Sequence, residues 1–143
     1  FFVAALIVTS TAWAQSPAPQ WGPAPPFLPA GARFAVMQGD PGQAGVYTLR
    51  LELPAGYTIA PHFHPTDEHI TVISGTFKVG MGDSVDAAHM TALHAGDFIT
   101  APAQAHHYAT AEDRTVVQVH GMGPFAITYV RAADDPRAPR TSP

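Results

Sequence analysis

Gly56-Tyr-Thr-Ile-Ala-Pro-His62-Phe-His64-Pro-Thr-Asp-Glu68-His-Ile-Thr-Val-Ile-Ser-Gly75 is the stretch on which the reading of this chain turns. His62 and His64 are two apart, so on an extended strand both imidazoles leave one face and can reach a single ion. Pro65 turns the chain, and Glu68, Ile70, Val72 and Ser74 share a face of the strand that follows, which returns a carboxylate to the imidazoles. Gly56 and Gly75 bracket the unit as turns. A His-x-His pair alone is more often a solvated surface feature than a site, but the carboxylate and the flanking glycines make this one a metal site. Its nitrogen and oxygen donors suit Zn, Cu, Fe, Mn or Ni.

A second informative stretch runs from His94 to Tyr108 and holds Gly96, Pro102, Gln104, His106 and His107. Either His106 or His107 can supply a third imidazole, and the resemblance set out below favours His107. His106 points to the opposite face, so a slip of one residue in strand register would exchange the two.

Working outward, the pattern is short strands throughout. Phe34–Met37 is followed by the turn Gly39-Asp40-Pro41-Gly42, and in Val46–Leu53 the residues Tyr47, Leu49, Leu51 and Leu53 alternate with Thr48, Arg50 and Glu52. Thr58–His64, His69–Ser74 and Thr76–Met81 come next, each closed by glycine or proline. Ser84–Ala92 predicts one short helical turn started by Asp83 or Ser84. Thr115–His120 and Phe125–Val130 form the last pair, with Val117 and Val119 on one face and Val116, Gln118 and His120 on the other. If the second face points inward, Gln118 and His120 lie near the metal. The fold class is therefore all-β, with the turn spacing of a sandwich or jelly roll.

Composition bounds the rest. The 143 residues, 46% hydrophobic and 13% charged, suffice for one core and one domain. A net charge of −4 with seven Lys and Arg leaves no basic patch, so nucleic acid is not an expected partner. With no cysteine, Fe–S clusters, thiolate zinc sites and thiol catalysis are excluded. Phe1–Val8 is an apolar run leading to Ala12-Trp13-Ala14-Gln15, which looks like the back half of a signal peptide cleaved after Ala14. Secretion or a periplasmic location is expected, with no membrane attachment after cleavage. Residues 15–31 form a proline-rich arm in which Trp21 and Phe27 are expected to pin it to the barrel or to a second subunit. Residues 32–131 form the domain, and residues 132–143 a loose tail.

The two stretches together resemble the signature motifs of the cupin superfamily. The first matches in full: Gly56, five residues, His62, one, His64, three, Glu68, six, Gly75. In the second, Gly96, Pro102 and His107 fall in register, while Gln104 stands where the family has glycine and Ala111 where it has asparagine. The resemblance implies a double-stranded β-helix, or jelly-roll barrel, with one mononuclear metal held by His62, His64, Glu68 and His107, and often a homodimer. Copper is the first choice, then iron, manganese or zinc, because an exported histidine site without thiolates selects by affinity. Glu68, His120, Gln118 and Tyr108 are the candidate proton-transfer and hydrogen-bonding groups. The favoured function is an oxidoreductase using O2 or H2O2 on an extracellular carbohydrate or small aromatic substrate, with copper-dependent cupins that cleave cellulose as a precedent. A non-catalytic metal- or ligand-binding cupin, and a metal-dependent lyase, hydrolase or isomerase, are the alternatives.

Overall fold

Gly45–Leu53 shows why the chain folds as sheet. Tyr47, Leu49, Leu51 and Leu53 are buried, while Thr48, Arg50 and Glu52 between them stay half-exposed, so one face of the strand is core and the other is wet. The computed structural model describes residues 17–139 and repeats this pattern in strand after strand. In chain order the strands are β1 (Gly22–Pro23), β2 (Arg33–Gln38), β3 (Gly45–Leu53), β4 (Thr58–Phe63), β5 (Glu68–Ser74), β6 (Thr76–Met81), β7 (Thr91–His94), β8 (Phe98–Ala101), β9 (His107–Ala111), β10 (Thr115–Gly123) and β11 (Thr128–Tyr129). One sheet runs β1-β2-β3-β10-β5-β8 and the other β11-β4-β9-β6-β7, with antiparallel pairing throughout. The core lies between them. Leu53, Val72, Val117 and Val119 are almost fully buried, and each contributes about 1.5–3 kcal/mol by leaving water.

The helical turn expected over Ser84–Ala92 is shorter, a single 3-10 turn at Ala87–His89 capped by Asp86, whose carboxylate accepts from Ala88 N at 3.1 Å. Neither Asp83 nor Ser84 starts it, because the Asp83 carboxylate is taken by His106. The strand expected over Phe125–Val130 shrinks to β11. Its backbone is diverted: Phe125 N bonds Pro41 O, and Ala126 O accepts from His64 Nδ1 at 2.8 Å.

Within the proline-rich arm, β1 adds an edge strand to β2, the place where a strand tolerates proline. Trp21 receives the Arg33 guanidinium 5.7 Å from its ring centre. Phe27 packs on Phe125 at 5.7 Å. The arm's carbonyls are held by tyrosines, Pro29 O by Tyr57 and Phe27 O by Tyr129 at 2.8 Å. The start of the expected tail is also held, since Arg131 pairs with Asp134 and Arg137 donates to Ile127 O. The signal-like run and its Ala12-x-Ala14 pattern lie outside the described residues.

Candidate metal centre

A β-bulge sets the site. In the β4–β9 pairing Ile59 faces Ala109 and His62 faces His107, so three steps on one strand match two on the other. The extra residue lets both Ile59 and His62 point into the core, where they are 8% and 3% exposed. His107 opens β9 and faces the same space. His64 lies just beyond β4, and its carbonyl accepts from Gln104 N at 2.9 Å. Gln104 has φ 63, the left-handed conformation that the glycine of the resembling motif would supply, so the turn forms despite the side chain. The Gln104 amide also reaches His64 O at 3.4 Å, tying the turn before His107 to the second histidine.

Each of these imidazoles has its Nδ1 on a backbone carbonyl: His62 on Ala60 O at 2.7 Å, His64 on Ala126 O at 2.8 Å and His107 on Ala105 O at 2.9 Å. A carbonyl can only accept, so each Nδ1 carries the hydrogen and the neutral ring presents a bare lone pair at Nε2. The ligand atoms of the three residues lie within 4.8 Å of one another. His64 Nε2 and His107 Nε2 are buried with no hydrogen-bond partner. Glu68 faces them from the other sheet, with Oε2 3.3 Å from His64 Nε2 and 3.5 Å from His107 Nε2. Lone pairs aimed at a carboxylate repel unless a cation lies between them. The donor set therefore fits a divalent metal, and in its absence a shared proton.

The electrostatics agree. Burial, with His107 and His64 beside it, pushes His62 down to about 3. Burial also opposes a charge on His64, but the facing Glu68 carboxylate outweighs that and holds the imidazole above its ordinary value. For Glu68 burial pushes upward, yet His64 and His107 together hold it well below the usual carboxylate range.

His106 is excluded from the centre: it leaves the opposite face, pairs with Asp83 and stacks on Phe63 at 5.0 Å. Three other expected site residues are also displaced. Gln118 and His120 sit on the outer face of the six-stranded sheet, Gln118 accepting from Arg50 Nε at 3.0 Å and His120 stacked on His69 at 4.9 Å. β10 turns Val117 and Val119 inward instead, 1% and 2% exposed, because burying the branched apolar chains outweighs burying an amide and an imidazole. Tyr108 lies on the far side of β9 from His107, against Gly80, where its hydroxyl accepts from Asp86 N at 2.8 Å and donates to Asp86 O at 3.3 Å. It anchors a surface loop.

One residue beside the histidines, Phe125, carried no such expectation. Phe125 stands 5.0 Å from the His64 ring and 5.8 Å from the Tyr47 ring. Tyr47, a member of the alternating β3 strand, is 1% exposed and packs edge-on against Phe125.

No curated protein matches the chain in sequence. Among solved structures, a candidate acetylacetone dioxygenase from Methylibium petroleiphilum superposes with a TM-score of 0.66 at 21% identity, covering 92% of this chain and 91% of that one. An acetylacetone dioxygenase from Acinetobacter johnsonii gives 0.62 at 16% identity over 87% and 83%. The polyketide cyclase RemF from Streptomyces resistomycificus gives 0.60 at 17% identity over 73% and 75%. These likenesses establish the cupin fold. The family model of the ChrR cupin-like domain matches residues 9–126, and with the two sheets and the inward histidine cluster this places the chain in that cupin family.

Proposed function

We propose that the chain is an exported, mononuclear metal-dependent oxidoreductase that uses O2 or H2O2 on a compact aromatic or sugar-derived substrate. Copper is the first choice of ion, then iron, manganese or zinc. The observation that carries this reading is the convergence of the His62, His64 and His107 lone pairs on one buried point facing Glu68. The apolar run and Ala12-x-Ala14 pattern support export. When bound, a redox-active ion held by imidazoles supplies an open position for O2 or peroxide. The Acinetobacter dioxygenase shares the fold, which supports an oxygen-using reading by analogy alone.

The chain's own residues have separable tasks. The carbonyls of Ala60, Ala126 and Ala105 fix tautomer and ring orientation through the Nδ1 hydrogens. Glu68 Oε2, buried beside the imidazoles, is placed to take up and return a proton. Phe125 and Phe27 shield the histidines from bulk water. The cavity beside them is about 40 Å³, lined by apolar groups such as Leu49, Ile59, Val79 and Ile127. That is room for about three waters. Its size and lining support a compact, largely apolar substrate over an intact polysaccharide. Self-association as a homodimer belongs to the same proposal, since Val46, Phe98 and Met122 expose large apolar surface on the outside of the six-stranded sheet.

The small enclosed cavity also favours a second reading, a cupin that holds a metal or small ligand without turnover. The test is consumption of O2 and peroxide by copper-, iron- and manganese-loaded protein over a panel of phenols and sugars. Turnover that Glu68→Gln loses while keeping its metal supports the enzyme. Metal binding without turnover for all three ions supports the second reading and ends the first.

A further inference from the structure

Two of the three carbonyls beneath the imidazoles belong to backbone that is itself held. Ala60 lies within β4, and Ala105 closes a turn through its N–H to Pro102 O at 3.0 Å. The third is different. Ala126, whose carbonyl accepts from His64 Nδ1, lies between β10 and β11 in a stretch with no sheet pairing. Among the described residues, the backbone of residues 124–127 is tied elsewhere only by Phe125 N to Pro41 O and by Arg137, which donates to Ile127 O at 3.2 Å. The place of the Ala126 carbonyl therefore depends on how the neighbouring Phe125 side chain packs.

That ring meets three others. Tyr47 lies 5.8 Å away, His64 5.0 Å and Phe27 5.7 Å. Tyr47 is fixed within β3, whereas Phe27 is brought by the proline-rich arm and lines the cavity beside the histidines together with Phe125. Phe27 also has a second connection, on the other side of the cluster. Its carbonyl accepts from the Tyr129 hydroxyl at 2.8 Å, and Tyr129 pairs with His62 across β11 and β4, its ring 5.9 Å from the imidazole. One arm residue thus leans on the immediate neighbours of two of the three imidazoles, through its ring toward His64 and through its carbonyl toward His62.

Groups that orient a ligand ring set metal affinity without touching the ion. We infer that Phe27 is a positioning residue of the metal centre: docking of the arm holds the Phe125–Ala126 segment beneath His64 and the Tyr129 ring beside His62, so that the arm sets how tightly the ion is held. This rests on the metal-centre reading above and adds to it the element that tunes the affinity. By linkage the ion holds the arm in place by the same factor.

The test is Co(II) titration of the chelator-stripped full chain well below each variant's Tm, read by the visible bands of the ion. Phe27→Ala weakens Co(II) by about 3–30-fold and shifts the bands, because the His64 ring loses its fixed support. Tyr129→Phe keeps the ring beside His62 and removes only the hydroxyl that holds Phe27 O; a smaller loss in the same direction is expected, and this variant carries the test if Phe27→Ala does not fold. Trp21→Ala loosens the arm at its far end, over Arg33, and keeps Co(II) affinity within about twofold. A fall in Tm with Co(II) affinity and bands intact in Phe27→Ala and Tyr129→Phe overturns the inference alone, since Phe27 would then serve stability only. So does an equal loss of Co(II) in Trp21→Ala, which would take the role away from Phe27. Wild-type protein that binds no Co(II) overturns the metal centre and this inference with it.

Discussion

Replacing His107 and His106 separately with alanine tests the centre most directly, because the two are neighbours in sequence and face opposite ways. His106 is half-exposed, paired with an exposed Asp83 and stacked on Phe63. A surface pair of this kind contributes about 0–1 kcal/mol and the stack about as much again, so His106→Ala should lower Tm by no more than about 7 °C. His107 is 2% exposed, and its removal takes the partner from the half-buried Ala105 carbonyl as well as opening a cavity. The metal-free cost is about 2–4 kcal/mol, or about 6–14 °C for a chain of this length. Metal separates them further. At about a thousandfold excess over Kd, an ion that binds only the folded state adds about 4 kcal/mol, which raises Tm by about 12–16 °C. The assay is thermal unfolding of chelator-stripped protein with and without Zn(II). His106→Ala should keep the metal-induced rise in full and His107→Ala should lose it. The opposite pattern would refute the register argument, and a rise retained by both variants would refute the site.

Metal-free protein should lose stability as pH rises through the folded value of His64. Its raised value means the contribution is fully present below 6.5 and disappears above it, and Glu68→Gln, which removes the cause, should flatten Tm against pH in that window. On the acid side His62, held down to about 3, makes the folded state less able than the unfolded chain to take a proton, so Tm should fall from pH 6.5 downward in both proteins. Gly80→Ala should destabilise by about 2–4 kcal/mol, because a Cβ there would lie 2.5 Å from the Tyr108 hydroxyl and displace the ring from Asp86. Zn(II) affinity should be unchanged in Gly80→Ala by calorimetry, since Tyr108 lies on the far side of β9; a large loss would restore Tyr108 to the site.

Local rules carried much of this molecule. The period-two alternation of Tyr47, Leu49, Leu51 and Leu53 is the burial pattern of β3, and the two motifs single out the histidines and Glu68 that meet in the core. The motif register, with Gly96, Pro102 and His107 in place, also favoured His107 over His106, and the structure buries His107 and leaves His106 on the other face. Alternation alone is silent about which of two faces is the inner one. Val116, Gln118 and His120 were as available to the interior as Val117 and Val119 until pairing with β3 and β5 chose the more apolar set. The bulge that turns both Ile59 and His62 inward depends on the partner strand β9, as does the side of the sheet on which Tyr108 lies. The space that the Tyr47 ring and hydroxyl occupy exists only because Gly121, 74 residues later, pairs with it and has no side chain. Which side chain faces which strand, across what gap, is a property of pairs of strands distant in sequence, and no local pattern encodes it.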